Sequence, residues 1–154
     1  MTHVLFVCTG NICRSPMAEV LLRREAASRR LTEVTVGSAG TGAWDGAPAS
    51  EGAYLVSLEH GLDLSAHRAR LLTGALVDEA DLVLAMAEHH MVRLRELRAG
   101  AKAVLLGAHA GRPAGDADVD DPFGGDIEMY RQTFGELEEL VRVIAGQLQE
   151  GAGR

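Results

Sequence analysis

Apolar residues in this chain gather into short unbroken runs, and the segments between those runs have helical spacing. "HVLFV" (3–7), "EVTVGSAG" (33–40), "ADLVLAM" (80–86) and "KAVLLG" (102–107) have strand length and are rich in aliphatic, often β-branched side chains. The first intervening segment predicts a helix that Ser15 caps and Pro16 opens, running to about Arg30. A second spans 47–61 and is closed by Gly61, and a third covers about 88–98. A loop rich in Gly, Asp and Pro occupies 107–126. The last segment has the cleanest pattern. Ile127, Tyr130, Phe134, Leu137, Val141, Ile144 and Leu148 alternate steps of three and four, which aligns one apolar face, while Glu136, Glu138 and Glu139 face solvent. Strands that alternate with helices predict an α/β fold: one domain, with a four-stranded parallel twisted sheet and helices on both faces. The domain is expected over 1–150, with "GAGR" (151–154) as a frayed tail.

Composition narrows the partners. The 154 residues are enough for one buried core, and 47% apolar with 24% charged residues is an ordinary globular balance. A formal charge of −7 argues against nucleic acid or an anionic membrane as a general partner, yet leaves room for a local basic pocket. No apolar stretch approaches the roughly 18 residues needed to span a bilayer, and the run near the N-terminus is too short for a secretion signal. The two cysteines, Cys8 and Cys13, form no disulfide framework. A monomer in the reducing cytoplasm is the simplest expectation. His89 and His90 read as exposed helix residues, and Asp116, Asp118 and Asp120 as solvated loop carboxylates.

The chemistry is concentrated in "VLFVCTGNICRSPMAE" (4–19). Cys8 stands at the exit of the first strand, and in a parallel α/β sheet ligands bind at the carboxyl ends of strands. The loop Thr9, Gly10, Asn11, Ile12, Cys13 can curl so that backbone N–H groups converge on an anion at a helix N-terminus. Gly10 and Asn11 are the residues best able to take the positive φ angles that such a curl requires. Arg14 supplies a planar fork for two phosphate oxygens. Cations and helix N-termini also favour thiolate over thiol. A loop that binds an oxyanion and activates a nucleophile suits phosphoryl transfer through a phosphocysteine. A dinucleotide site does not fit, because "GTGAWDG" follows the second strand with the wrong spacing, and a zinc site lacks partner ligands.

The stretch "VCTGNICRSPMAE" resembles the low-molecular-weight protein tyrosine phosphatases, whose signature is Cys, five residues, Arg, then Ser or Thr. The resemblance continues through "GSAGTGAW", "AHRARLLT", "ADLVLAM" and "DPFGGDIEMYRQTFGELEELV". It implies a flavodoxin-like, doubly wound fold, with Cys8 as nucleophile and Arg14 binding the phosphoryl group. It makes Asp121, in "DPF", the general acid and then base. Ser15 would donate to the thiolate, while Asn11, Ser38 and His67 would brace the loop. Cys13 reads either as a small buried hydrophobe at the base of the loop or, as the resemblance implies, as a partner that protects Cys8 by forming a disulfide with it under oxidation. No metal or organic cofactor is implied, since nest, arginine and acid supply the charge. One departure stands out: Ala87 occupies a position after the third strand where members often carry Asp.

The implied substrate is a phosphorylated protein, with inorganic phosphate or another oxyanion able to occupy the loop. Two substrate chemistries compete. "DPFGGDIEMYRQT" resembles the branch that hydrolyses protein phosphoarginine, whereas Ile12 resembles the phosphotyrosine enzymes, the arginine branch typically having Thr there. An apolar rim at Ile12, with Trp44 and Phe123 as walls, suits a flat phenyl ring, so phosphotyrosine is favoured. A thiol-relay arsenate reductase is a remote alternative, since such enzymes need further cysteines.

Overall fold

The computed structural model describes residues 1–152. Its sheet is built from β1 (Thr2–Cys8), β2 (Val34–Gly40), β3 (Leu82–Ala85) and β4 (Ala103–Leu105). The strand order is β2-β1-β3-β4 and every pairing is parallel, so β1 lies between two neighbours. Helices α1 (Arg14–Ser28), α2 (Glu51–Glu59), α3 (Gly74–Glu79), α4 (His90–Glu96), α5 (Leu106–His109) and α6 (Ile127–Ala152) complete the fold. No helix among the described residues is long and apolar enough to cross a membrane.

Alternation along β1 divides the core in two. Val4, Phe6 and Cys8 join the layer that α1 and α6 cover, with Met17, Leu21, Phe134, Leu137 and Ile144. Leu5 and Val7 face the other layer, with Val77 from α3 and Leu94 from α4. Burial on both faces explains why β1 reads as a continuous apolar run rather than an alternating one.

Several boundaries differ from the sequence reading. Cys13, not Ser15, is the N-cap of α1, so Ser15 lies inside the helix with its hydroxyl directed elsewhere. The second helix begins at Glu51 because Ser50 Oγ accepts from the Ala53 N–H and sets the start there. The strand expected over 102–107 ends at Leu105, and residues 106–109 turn into α5. Helix α3 was not foreseen: six residues give too little periodicity to see, although Thr73 caps it in the usual way. The tail expected at 151–154 is helical at Gly151 and Ala152, and its last two residues lie outside the described residues.

Leu137 is fully buried at the centre of the α6 face. Leu137→Ala is expected to destabilise the fold by about 2–5 kcal/mol through lost burial and a residual cavity, read from the urea midpoint at unchanged m-value.

Candidate active site

Cys8 ends β1 at the carboxyl edge of the sheet, and both neighbouring strands hold it there. The Thr41 N–H donates to the Cys8 carbonyl at 2.9 Å, and the Met86 N–H to that of Val7 at 3.0 Å. The loop then passes close against β2. A Cβ on Gly40 would lie 2.4 Å from the Thr9 carbonyl oxygen and 2.9 Å from the Asn11 nitrogen, so only glycine lets the two backbones approach. Asn11 takes the positive φ, at 56°. Gly10 does not, contrary to expectation, so one left-handed residue suffices for the curl.

Asn11 is fully buried, and its partners fix its amide. Oδ1 accepts from the Arg70 backbone N–H at 2.9 Å. Nδ2 therefore faces Ser15 Oγ at 2.8 Å and Ser38 Oγ at 2.9 Å, and donates to both. Ser15 Oγ, 2.9 Å from Cys8 Sγ, is thus an acceptor towards Asn11, and its own hydrogen is free to point at the sulfur. Ser38 passes the polarity onward by donating to Glu19 at 2.5 Å, and Glu19 pairs with Arg23. The Asn11 carbonyl accepts from His67 Nε2 at 2.7 Å. The structure thereby brings Asn11, Ser15, Ser38 and His67 into one brace beneath the loop.

Arg14 is buried to 3% exposure, an unusual setting for a guanidinium. One terminal nitrogen donates to the Val119 carbonyl at 2.8 Å, and the other lies 3.6 Å from Asp121 Oδ2. Its Nε has no hydrogen-bond partner among the described residues. Val119 is itself buried and donates its N–H to the Met86 carbonyl, so the loop between α5 and α6 is pinned two residues before Asp121. Asp121 Oδ1 accepts from the Phe123 N–H at 3.1 Å, a turn that aims the carboxylate back towards Arg14. Asp118, read as merely solvated, also accepts from the Glu88 N–H at 2.9 Å.

A cavity of about 200 Å³ opens above Cys8, lined by Thr9, Gly10, Ile12 and Cys13 of the loop. Arg14, Asp121 and Phe123 complete it. Trp44 is not part of this wall. The residue is 85% exposed: the segment around it is tied to residues 69–71 through the backbone of Gly46 and Ala47 and through Asp45 Oδ1, which accepts from the Leu71 N–H, and the indole is left outside. Cys13 lies below the loop, where its sulfur contacts Ser50 Oγ at 3.2 Å and the Tyr130 hydroxyl at 3.4 Å. Burial pushes the Cys13 thiol up, against the lowering effect of those two hydrogen bonds. Burial and the contact with Cys13 raise Tyr130 to about 12. Both cysteines are free.

His90 departs most from the sequence reading. It is fully buried, its Nε2 is 2.9 Å from Thr9 Oγ1, and its Nδ1 accepts from the Ala87 N–H at 3.1 Å. Ala87, the departure noted above, meets His90 through its backbone alone: its N–H donates to the ring, and its carbonyl accepts the His90 N–H at 3.1 Å. The spacing of His90, Leu94 and Leu97 carried the signal, since it sets the histidine on the apolar face of α4. Ser50, Tyr130 and Val119 were likewise missed, as nothing local in the sequence marks long-range partners.

A parallel α/β sheet thus brings a thiol, a buried arginine and a facing carboxylate to one cavity. The family model "Low molecular weight phosphotyrosine protein phosphatase" matches residues 3–153, and the chain belongs to that family. The chain is 41% identical over 154 residues to a protein-arginine-phosphatase of Bacillus subtilis, covering 96% of this chain and 97% of the relative. It is also 41% identical over 162 residues to low molecular weight protein-tyrosine phosphatase A of Mycobacterium tuberculosis, covering 99% and 94%. Among solved structures, the YwlE arginine phosphatase, as a cysteine-to-serine mutant with a phosphorylated active site serine, is similar at TM-score 0.90 and 40% identity. That likeness covers 97% of each chain.

Burial, the Arg14 guanidinium and His89 hold the His90 pKa down at about 3, against an ordinary 6.5. The unfolded chain therefore takes up this proton first, and its contribution to stability rises with pH from about 3 to 6.5 and then levels off. His90→Gln should remove a slope of at most about 1.4 kcal/mol per pH unit in that window. Urea unfolding of wild type and variant at several pH values across it measures the difference.

Proposed function

We propose that this chain is a protein phosphatase that hydrolyses phosphotyrosine in proteins through a phosphocysteine intermediate. One observation carries the reading: Arg14, which lines one cavity with Cys8 and Asp121, has at Nε a buried donor without a partner among the described residues. An unpaired buried donor costs about 1–3 kcal/mol, and a phosphoryl oxygen of the substrate would satisfy it.

In the first step the loop N–H groups and Arg14 hold three phosphoryl oxygens. Cys8 sulfur attacks phosphorus, the bond to the phenol oxygen breaks, and Asp121 delivers its proton to that oxygen. A phenolate leaves poorly at neutral pH unless a proton arrives with it. In the second step Asp121 takes a proton from water, whose oxygen attacks phosphorus and expels the Cys8 thiolate. The Ser15 hydroxyl stabilises the sulfur as negative charge returns to it, because Asn11 leaves its hydrogen free for that role. The relative with a phosphorylated active site serine supports a covalent phosphoenzyme.

For the substrate, the apolar rim that Ile12 and Phe123 give the cavity favours a phenyl ring. A second reading, phosphoarginine, is favoured by the relatives named protein-arginine-phosphatase. kcat/KM on phosphotyrosine and phosphoarginine peptides, with and without Ile12→Thr, separates the two. Preference for phosphotyrosine that Thr reverses is the expected outcome; preference for phosphoarginine with Ile12 in place would overturn it.

Cys8→Ser is expected to abolish turnover while oxyanion binding persists, as equilibrium binding of phosphate would record. Asp121→Asn should reduce kcat more on phosphotyrosine than on an aryl phosphate with a good leaving group, since the latter needs little proton assistance. Equal losses on both substrates would remove Asp121 from the acid role.

A further inference from the structure

The mechanism above makes no use of His90, a fully buried histidine with a partner at each ring nitrogen. The Ala87 N–H can only donate, so Nδ1, 3.1 Å away, is the nitrogen without hydrogen. The neutral ring then carries its hydrogen on Nε2, and His90 is the donor to Thr9 Oγ1 at 2.9 Å. With its pKa down at about 3, the ring keeps this single tautomer across the range in which a phosphatase works. Thr9 Oγ1, engaged as an acceptor, swings its own hydrogen away from His90. No described residue accepts that hydrogen, and Thr9 lines the cavity with Cys8 and Arg14. The Thr9 backbone is held as well, its carbonyl accepting from the Gly42 N–H at 2.9 Å.

We propose that His90 is a positioning residue: its Nε2–H orients Thr9 so that the Thr9 hydroxyl donates to the phosphoryl group bound over Cys8. The inference rests on the phosphatase reading and adds a side-chain donor to the backbone nest. A neutral imidazole suits the place. It directs a hydroxyl without setting a second positive charge beside the buried Arg14, and it cannot compete for the substrate anion because its hydrogen is already committed.

Two isosteric halves of histidine test this. Asn at position 90 puts its amide oxygen near the place of Nδ1, which keeps the Ala87 bond and loses the Thr9 bond. Gln puts its amide nitrogen near the place of Nε2, which keeps the Thr9 bond. With a phosphotyrosine peptide, His90→Asn is expected to lower kcat about tenfold with KM within about twofold. His90→Gln should stay within about threefold of wild type. Thr9→Val should match His90→Asn, and the double variant should lose nothing further, because both remove one interaction.

Equal losses in the two His90 variants that follow their melting temperatures would overturn the proposal, leaving His90 a packing residue. So would a greater loss in Gln than in Asn, or no loss in either. Two readouts do not require turnover: the 15N spectrum of the ring, expected to show Nε2 protonated, and the dissociation constant of orthovanadate, expected to rise in Asn and not in Gln. If wild type hydrolysed no phosphate ester, the phosphatase reading would fall, and the vanadate comparison would still decide for or against the role of His90.

Discussion

The left-handed backbone of Asn11 turns its side chain into the protein, and the hydrogen bonds of that side chain set the direction of the bonds that run through Ser15 to Cys8 and through Ser38 to Glu19. A non-glycine residue at φ 56° is strained, and it persists only where its surroundings over-determine it. Here four groups do so: the Arg70 N–H, the His67 ring, Ser15 and Ser38. They come from α1, from β2 and from the connection between α2 and α3. The loop is therefore held only once those elements have assembled, which makes the site a product of the whole α/β layer rather than of the motif alone.

Polarity runs one way through this brace. Arg70 donates to the amide oxygen, so the amide nitrogen must donate outward, and both serine oxygens receive it. Ser15 then has its hydrogen left for sulfur, and Ser38 gives its own to Glu19, a carboxylate only 8% exposed and paired with Arg23. Were the Asn11 amide reversed, its oxygen would claim the Ser15 hydrogen, and the sulfur would face a lone pair. A carboxylate at position 11 would do the same. The backbone contact from Arg70 thus controls chemistry two bonds away without touching the reacting atoms.

Much of this was legible in the sequence because its signals are local. The apolar run of β1, the one-sided α6 pattern and the Cys8-to-Arg14 loop each declare themselves within a few residues, and the strand–helix alternation made the sheet parallel. What escaped depends on contacts across the fold. His90 looks like its exposed neighbour His89 until α4 is packed, and only then does the i, i+4 relation to Leu94 place it inside. Trp44 read as a pocket wall because, with Ile12 and Phe123, it would suit a flat phenyl ring. The hydrogen bonds to the 69–71 segment, which leave it in solvent, join residues more than 20 apart in sequence. Ser15 was legible in one of its two roles: it stands beside the thiol as the resemblance implies, while the cap falls to Cys13.

The burial of Arg14 ties these features to function. A guanidinium at 3% exposure is costly to desolvate, and its neighbours compensate it incompletely: one carbonyl, one carboxylate oxygen at 3.6 Å that is itself half exposed, and no described residue at Nε. The His90 ring, whose pKa Arg14 helps to lower, is kept neutral rather than charged, so it neither adds to the positive field nor relieves it. The protein as a whole carries −7, which offers a phosphorylated substrate no general attraction. Affinity for the anion must then arise within the pocket, from a cation whose coordination the fold leaves unfinished. A phosphoryl group, with oxygens on several sides, completes it, and does so best as negative charge builds on those oxygens during transfer.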